Sequence, residues 1–149
     1  MITVTIIDMT VAADRDELVA MLSAAGLPIP DLDEPDRVFL RFGNDSPIGF
    51  AGIDGVGTDR LLRSLVVAPD KRGTSIGRDI VAATESEAAR SGARRLHLLT
   101  EDAAPFFASA GYAATERADA PASVAATTQF SSLCPASATY MVKTIGDAA

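Results

Sequence analysis

The stretch from Leu65 to Arg78 constrains this chain most, because it changes from strand to helix character within a few residues. Its leucine and valines predict a strand that breaks at Pro69, an Arg-Gly pair predicts a turn, and the apolar spacing that begins at Ile76 predicts a helix. A strand-turn-helix junction gathers unpaired backbone N–H groups at the positive end of a helix dipole. Such a place attracts phosphate.

The turn lacks the two best-known phosphate-binding patterns. It has neither the Gly-Lys-Ser/Thr ending of a Walker loop nor the Gly-x-Gly-x-x-Gly of a dinucleotide site. It resembles the coenzyme A loop of the GNAT superfamily of acetyl-CoA-dependent N-acyltransferases, Arg/Gln-x-x-Gly-x-Gly/Ala, with serine at the middle glycine. That serine keeps its N–H, while its Cβ would crowd a pyrophosphate or its hydroxyl would add a hydrogen bond. An ordinary surface turn is the alternative. The matching residues are Arg72, Gly73, Thr74, Ser75, Ile76 and Gly77.

A second motif follows about thirty residues later. Residues 106–112, Phe-Phe-Ala-Ser-Ala-Gly-Tyr, resemble the aromatic pair and Gly-Phe/Tyr of the same superfamily, and both motifs fall in the expected order. The resemblance implies an α+β (mixed α/β) fold, with a twisted mixed sheet of about six or seven strands, about four flanking helices and a splay between strands 4 and 5. It also implies acetyl-CoA as co-substrate, with pantetheine pairing along Leu65, Val66 and Val67 and pyrophosphate lying on the N–H groups of residues 73–78, from Gly73 to Arg78.

Apolar periodicity along the chain agrees with this fold class. Asp14 followed by Glu17 predicts a capping box at the start of the first helix. Strands are predicted over 3–7, 37–42, 47–54, 60–67, 95–100, 112–115 and 139–145. Helices are predicted over 14–25, from 76 to a stop at Gly92, over 103–110 and over 121–127.

Composition narrows the function classes. The chain has 149 residues, 48% of them hydrophobic, which predicts one globular domain over 1–149. The net charge of −7 disfavours nucleic acid as a partner, and no apolar run approaches the roughly 20 residues of a membrane span. The amino terminus lacks the basic start of an export signal, so we expect a cytoplasmic protein. One cysteine, Cys134, excludes an internal disulfide and a multi-thiolate metal site, and we expect no metal.

The resemblance assigns the chemistry to the fourth strand. A strand N–H near Leu65 would hold the oxyanion formed when an amine attacks the thioester. Leu65 and its neighbour Ser64 are the two candidate catalytic residues. The superfamily often has tyrosine as proton donor where Phe107 stands, and asparagine where Thr100 stands. The thiolate would then leave unassisted or through water. Tyr112 is interpreted as a core residue.

The acceptor is expected to be a small amine, and its binding residues are open. Arg63 and Ser64 should point to opposite faces of the sheet, so only one should see the site. Arg63 would clamp a carboxylate or face solvent. His97 is interpreted as structural rather than catalytic, and no residue is assigned as base. The proline-rich segment 27–35 is either a solvated loop or a lid. The remaining acceptor-side candidates are Arg41, Thr128 and Gln129.

The tail over 117–138 resembles a bacterial branch of GNAT proteins named for arsenic-resistance operons. It predicts an inserted helix that closes the acceptor site. Cys134 is expected to be a small buried hydrophobe, since one thiol is a poor chelator of arsenic. Two alternatives to an enzyme remain open. One is a non-catalytic acyl-CoA-binding module, and the other is a homodimeric interaction protein with the apolar tail as its interface.

Overall fold

A computed structural model describes residues 3–27, 29, 32, 35–128, 130 and 137–146. In chain order its elements are β1 (Val4–Ile6), α1 (Ala12–Ala24), β2 (Arg37–Gly43), β3 (Pro47–Asp54), β4 (Asp59–Val67), α2 (Ile76–Arg90), β5 (Arg95–Thr100), α3 (Ala104–Ser109), β6 (Ala113–Ala114), α4 (Ala122–Ala125) and β7 (Thr139–Thr144).

The seven strands form one open mixed sheet in the order β1-β2-β3-β4-β5-β7-β6. β4 and β5 are parallel, whereas the other neighbouring pairs are antiparallel. Parallel neighbours need a crossover connection, and α2 supplies it. The predicted fold class, strand number and helix number are therefore confirmed.

Helices cover the two faces of the sheet and bury separate cores. Leu18 and Leu22 of α1 pack on Phe39, Phe50 and their neighbours on one face. On the other face, buried residues of α2 and α3 pack on alternate side chains of β2 to β5. The α2 residues in that core are Ile80, Val81 and Ala88, with Thr84 buried beside them, close to the predicted apolar face.

The start of α1 differs from the prediction. The helix begins at Ala12 after Val11, so Asp14 lies in its first turn and forms no capping box. Asp8 accepts hydrogen bonds from the N–H and hydroxyl of Thr10, at 2.9 and 2.6 Å, and this local turn leads the chain into the helix earlier. Among the described residues, none of the helices is both long and apolar enough to cross a membrane.

Candidate active site

The sheet opens between β4 and β5. Their ladder holds three pairs, of which Leu61 with His97 is the last, and the strands then separate toward their carboxyl ends. This is the predicted splay between strands 4 and 5. A cavity of about 370 Å³ lies in the opening.

Several predicted site residues meet around this cavity. Arg63, Ser64 and Leu65 line it from β4, and Thr100 and Phe107 line it from β5 and α3. Sequence reasoning missed other lining residues that come from the end of α1, from β4 and β5, from the turn into α3 and from the residue before β7. Strand alternation around Leu62 and Leu98 was the available signal for part of this wall. The missed residues are Ala25, Gly26, Leu62, Leu98, Leu99, Glu101, Asp102, Ala103 and Ala138. Leu27, from the segment with a lid as one interpretation, and Phe106, from the second sequence motif, also line the cavity.

A β-bulge interrupts β4 beside the cavity. Gly52 pairs with Arg63 and Phe50 pairs with Val66, so two residues of β4 oppose one residue of β3. Those two residues are Ser64 and Leu65, which have no partner in either ladder of β4. Ser64 has a φ of 55°, a left-handed conformation that is rare for a residue with a Cβ. The expected alternation of Arg63 and Ser64 is therefore wrong, and both line the cavity.

Arg63 does not face solvent as one interpretation had it. Its Nη1 lies 3.3 Å from Oδ2 of Asp54, and neither side chain is exposed. Its Nε donates a hydrogen bond of 3.0 Å to the Ser64 hydroxyl. The arginine is thus a buried, charge-paired member of the cavity wall.

The turn between β4 and α2 has the geometry of an anion site. Gly73 has a φ of 78°, and an added Cβ there would meet open space. Ser75 has an ordinary right-handed φ of −74°, so serine causes no backbone strain at the middle-glycine position. Thr74 accepts a hydrogen bond from the Ile76 N–H, which removes that group from the predicted set. Five backbone N–H groups of this region form no hydrogen bond with the described part of the chain, those of Gly73, Thr74, Ser75, Gly77 and Arg78.

Two arginine side chains of this turn already donate hydrogen bonds within the protein. The Arg72 Nε donates to the Val67 carbonyl at 3.0 Å, and Arg78 donates to the carbonyl of Ser109 at the end of α3. The turn does not itself line the cavity, and neither do Val66 and Val67. Phe106 joins the two regions, since its ring lines the cavity and lies 3.4 Å from where a Cβ of Gly77 would stand.

The second sequence motif forms an aromatic cluster below the cavity. The Phe107 ring packs edge to face on Phe106 and Tyr112, with centroids 5.1 and 5.7 Å apart. Tyr112 is buried, which confirms its interpretation as a core residue. Burial raises the pKa of its hydroxyl, and the nearby Glu85 carboxylate raises it further. Thr100 accepts a hydrogen bond of 3.0 Å from the Ala103 N–H and so ties the end of β5 to the turn before α3.

Two acceptor-side candidates lie outside the cavity lining, and their roles stay predictions. Arg41 does not line the cavity. It instead donates to Glu17 of α1 at 2.6 Å and to carbonyls of the β2–β3 turn, so its role is to join α1 to that turn. Thr128 is half-buried but is also outside the cavity lining. Gln129 and Cys134 lie outside the described residues, as does part of the segment 27–35.

His97 lies in a buried chain of hydrogen bonds where β4 and β5 separate. Its Nε2 is 2.8 Å from an Asp59 carboxylate oxygen, and its Nδ1 is 2.7 Å from the Tyr140 hydroxyl. Burial lowers the pKa of His97, although Asp59 opposes this effect. Because a carboxylate only accepts, neutral His97 donates from Nε2 and accepts from Tyr140 at Nδ1. The ring is outside the cavity lining, which agrees with a structural role.

The tail contributes a short helix against the sheet. α4 contacts β4, and its Val124 is buried. The predicted inserted helix is confirmed in shorter form. On the same tail, the ring of Phe130 packs edge to face on Tyr140.

Comparisons with known proteins agree with this architecture. The family model described as "Acetyltransferase (GNAT) domain" matches residues 34–114, just over half of the chain. No sequence among curated proteins matches the chain.

Three solved structures illustrate the fold. N-acetylglutamate synthase from Neisseria gonorrhoeae, complexed with coenzyme A and N-acetyl-glutamate, has a TM-score of 0.79 at 16% identity, and the match covers 97% of this chain but 35% of that one. An acetyltransferase of the GNAT family from Staphylococcus aureus has a TM-score of 0.74 at 15% identity, covering 97% and 99%. An aminoglycoside 6'-N-acetyltransferase from Enterococcus faecium has a TM-score of 0.68 at 19% identity, covering 96% and 97%. The chain therefore spans about a third of the synthase, and at these identities the likeness concerns the fold.

Proposed function

Because the chain belongs to the GNAT acetyltransferase domain family, we propose that it transfers the acetyl group of acetyl-CoA directly to the amine of a small molecule. The observation that carries the proposal is the cleft between β4 and β5, where the bulged residues Ser64 and Leu65 lack ladder partners. An extended thioester arm can pair with strand backbone only where a neighbouring strand has moved away. The cleft provides that opening beside Ser64, the residue of β4 with a positive φ.

The turn at the start of α2 fits the phosphates of coenzyme A. Its N–H groups without a partner among the described residues lie at the positive end of a 15-residue helix, and Gly73 leaves open space above the backbone. Lys71, Arg72 and Arg78 add positive charge in a protein whose net charge is −7. This local charge favours an anionic group at the turn.

The chemistry asked of the protein is modest. A backbone N–H near Leu65 would stabilise the negative charge that develops on the thioester oxygen. Phe107 carries no proton, so the thiolate would leave unassisted or receive a proton from water. Much of the remaining acceleration would come from holding amine and thioester together. The base that deprotonates the amine stays unassigned, and a water chain is one candidate.

The acceptor is proposed to be a small amine or amino-acid-like molecule. The synthase structure contains N-acetyl-glutamate, and the Enterococcus enzyme is named for aminoglycosides, so this fold serves chemically different acceptors. Asp54 already neutralises Arg63, which weakens the carboxylate-clamp hypothesis. Glu101 and Asp102 are the other charged residues in the described lining, and they favour a protonated amine.

The remaining expectations rest on the sequence. From the sequence alone we propose a cytoplasmic location, a homodimer formed through the apolar tail and a link to arsenic resistance. The arsenic link would describe a genetic neighbourhood and would not by itself identify the acceptor.

Calorimetric titration with acetyl-CoA and with desulfo-CoA at fixed salt tests the proposal. We expect saturable binding of both ligands, because phosphates and pantetheine make the proposed contacts. An amine and amino-acid panel with detection of released thiol then tests transfer. The absence of coenzyme binding up to millimolar ligand would remove the proposed function.

A non-catalytic acyl-CoA-binding module is the second candidate. It is favoured by Phe107, which cannot act as an acid, and by Thr100, which stands where the superfamily often has asparagine. Saturable coenzyme binding with no thiol release above the buffer rate on any amine would support this module over the enzyme.

A further inference from the structure

An ion pair is buried directly behind the bulge of β4. Arg63 and Asp54 are 3.3 Å apart with fully buried side chains, and the Arg37 guanidinium lies 3.4 Å from the other Asp54 oxygen. The Arg63 guanidinium also lies over the Phe39 ring, 5.6 Å from its centroid. Taking two charges out of water is costly, so a buried pair by itself is weak support for a gain in stability. A role in fixing local geometry is the better-supported explanation to test.

The local geometry beside this pair is strained. Ser64 adopts the left-handed φ of 55°, which costs about 1–2 kcal/mol for a residue with a Cβ. Strained residues persist only where their surroundings hold them. The Arg63 Nε, 3.0 Å from the Ser64 hydroxyl, connects the strained residue to the buried ion pair.

The position of Gly52 shows how closely this arrangement is packed. A Cβ at Gly52 would lie 2.8 Å from the Phe39 ring and 3.1 Å from Cγ of Arg63. Gly52 is also the ladder partner of Arg63, immediately before the bulge. The stem of Arg63 is therefore held between β3 and Phe39, and its guanidinium has little freedom to turn toward a ligand.

We propose that Arg63 is a positioning residue which, anchored by Asp54, holds Ser64 in the left-handed conformation and so sets the bulge that presents the Leu65 backbone to the cavity. This inference rests on the proposed acetyl transfer. In it the Ser64 hydroxyl is an acceptor for Arg63 and has no contact with the reacting atoms. The carboxylate-clamp role of Arg63 and the catalytic role of the Ser64 hydroxyl are both replaced.

Two substitutions at Ser64 separate positioning from hydroxyl chemistry. Ser64→Ala and Ser64→Gly both remove the hydroxyl, but glycine alone adopts a positive φ without strain. We expect Ser64→Gly to keep a kcat about ten-fold above that of Ser64→Ala, with a similar KM for acetyl-CoA, because a misplaced backbone donor affects mainly the transition state. Equal losses of kcat in the two variants would overturn the inference.

A folding measurement gives a readout that does not depend on activity. The urea midpoint of Ser64→Gly should exceed that of Ser64→Ala. At Ser86, exposed within α2, the same two substitutions should give the opposite order, because glycine is the poorer residue in a helix. The same order at both positions would contradict the left-handed strain on which the inference depends.

Arg63→Gln links the arginine to this effect. If Arg63 acts through Ser64, Arg63→Gln should lower kcat in the wild-type chain by a larger factor than in the Ser64→Gly background. Equal factors would show that Arg63 acts independently and would overturn its positioning role. A wild-type protein without any acetyl transfer would instead remove the proposed function, and the catalytic part of this inference with it.

Discussion

Phe107 is the residue at which the chemistry of the cavity can be changed most directly. Its ring lines the cavity where the resembling superfamily often has a tyrosine. Phe107→Tyr should raise kcat about ten-fold or more, because a phenol can protonate the departing thiolate. The measurement is steady-state thiol release with a productive amine.

Phe106→Tyr is the matched control for this prediction. Phe106 also lines the cavity, so the variant adds the same hydroxyl one residue away. An equal rise in kcat for both variants would mean that a general change in polarity, rather than a placed proton donor, is responsible.

Single residues also mark the limit of prediction from the sequence. Nothing in the letters Arg-Ser-Leu indicates a bulge, because the strained φ of Ser64 depends on an ion pair with Asp54 from another strand. The hydrogen bond of Arg41 could not be predicted for a similar reason, since its partner Glu17 is 24 residues away in sequence. Contacts that join distant segments leave no local pattern.

At the scale of elements, the turn before α2 can be tested with glycines alone. Gly73 and Gly57 both have positive φ, 78° and 85°, and a Cβ would meet open space at each. Gly73→Ala and Gly57→Ala should therefore lose similar stability, about 1–2 kcal/mol. Only Gly73→Ala should weaken coenzyme A binding, about ten-fold, because Gly57 lies in the turn between β3 and β4.

Denaturant unfolding and calorimetric titration of the two variants check this prediction. Equal coenzyme A affinities for Gly73→Ala and Gly57→Ala would exclude the turn as the phosphate site. A much larger stability loss in Gly73→Ala would instead point to a folding role for that turn.

Most helices and strands could be predicted from the sequence, because apolar residues recur at the positions that each element buries. Residues 76–90 and 95–100 carry clear helix and strand periods, and the structure has α2 and β5 at those positions. The boundary of α1 was less predictable, because a side-chain turn at Asp8 competes with the apparent cap at Asp14. Local side-chain hydrogen bonds of this kind compete with helix caps.

At the scale of the whole molecule, the splay between β4 and β5 came from the resemblance and not from periodicity. The ladder stops after Leu61 and His97, although the apolar pattern of both strands continues. The network of His97, Asp59 and Tyr140 lies where the ladder stops. It joins β4, β5 and β7, so its protonation state bears on the stability of the whole sheet.

The stability of the folded protein should depend on pH through His97. His97 is the only histidine in the chain, and burial lowers its pKa in the folded protein from the ordinary value of 6.5. The unfolded chain therefore takes up a proton first as the pH falls. Stability should be greatest above pH 6.5 and should fall below it, by at most about 1.4 kcal/mol per pH unit, until folded His97 is protonated as well.

Urea unfolding of wild type and of His97→Gln between about pH 7.5 and 5 measures this effect, since histidine is the side chain that ordinarily titrates in that range. Burial acts to raise the pKa of Asp59, but the hydrogen bonds that it accepts from His97 and Arg95, with their charges, together lower it, so Asp59 titrates only at more acidic pH. His97→Gln should be less stable near neutral pH but nearly independent of pH over this window. If both proteins lose stability with the same slope as the pH falls, the pKa of His97 does not differ between the folded and unfolded states. Other titrating groups would then cause the loss of stability.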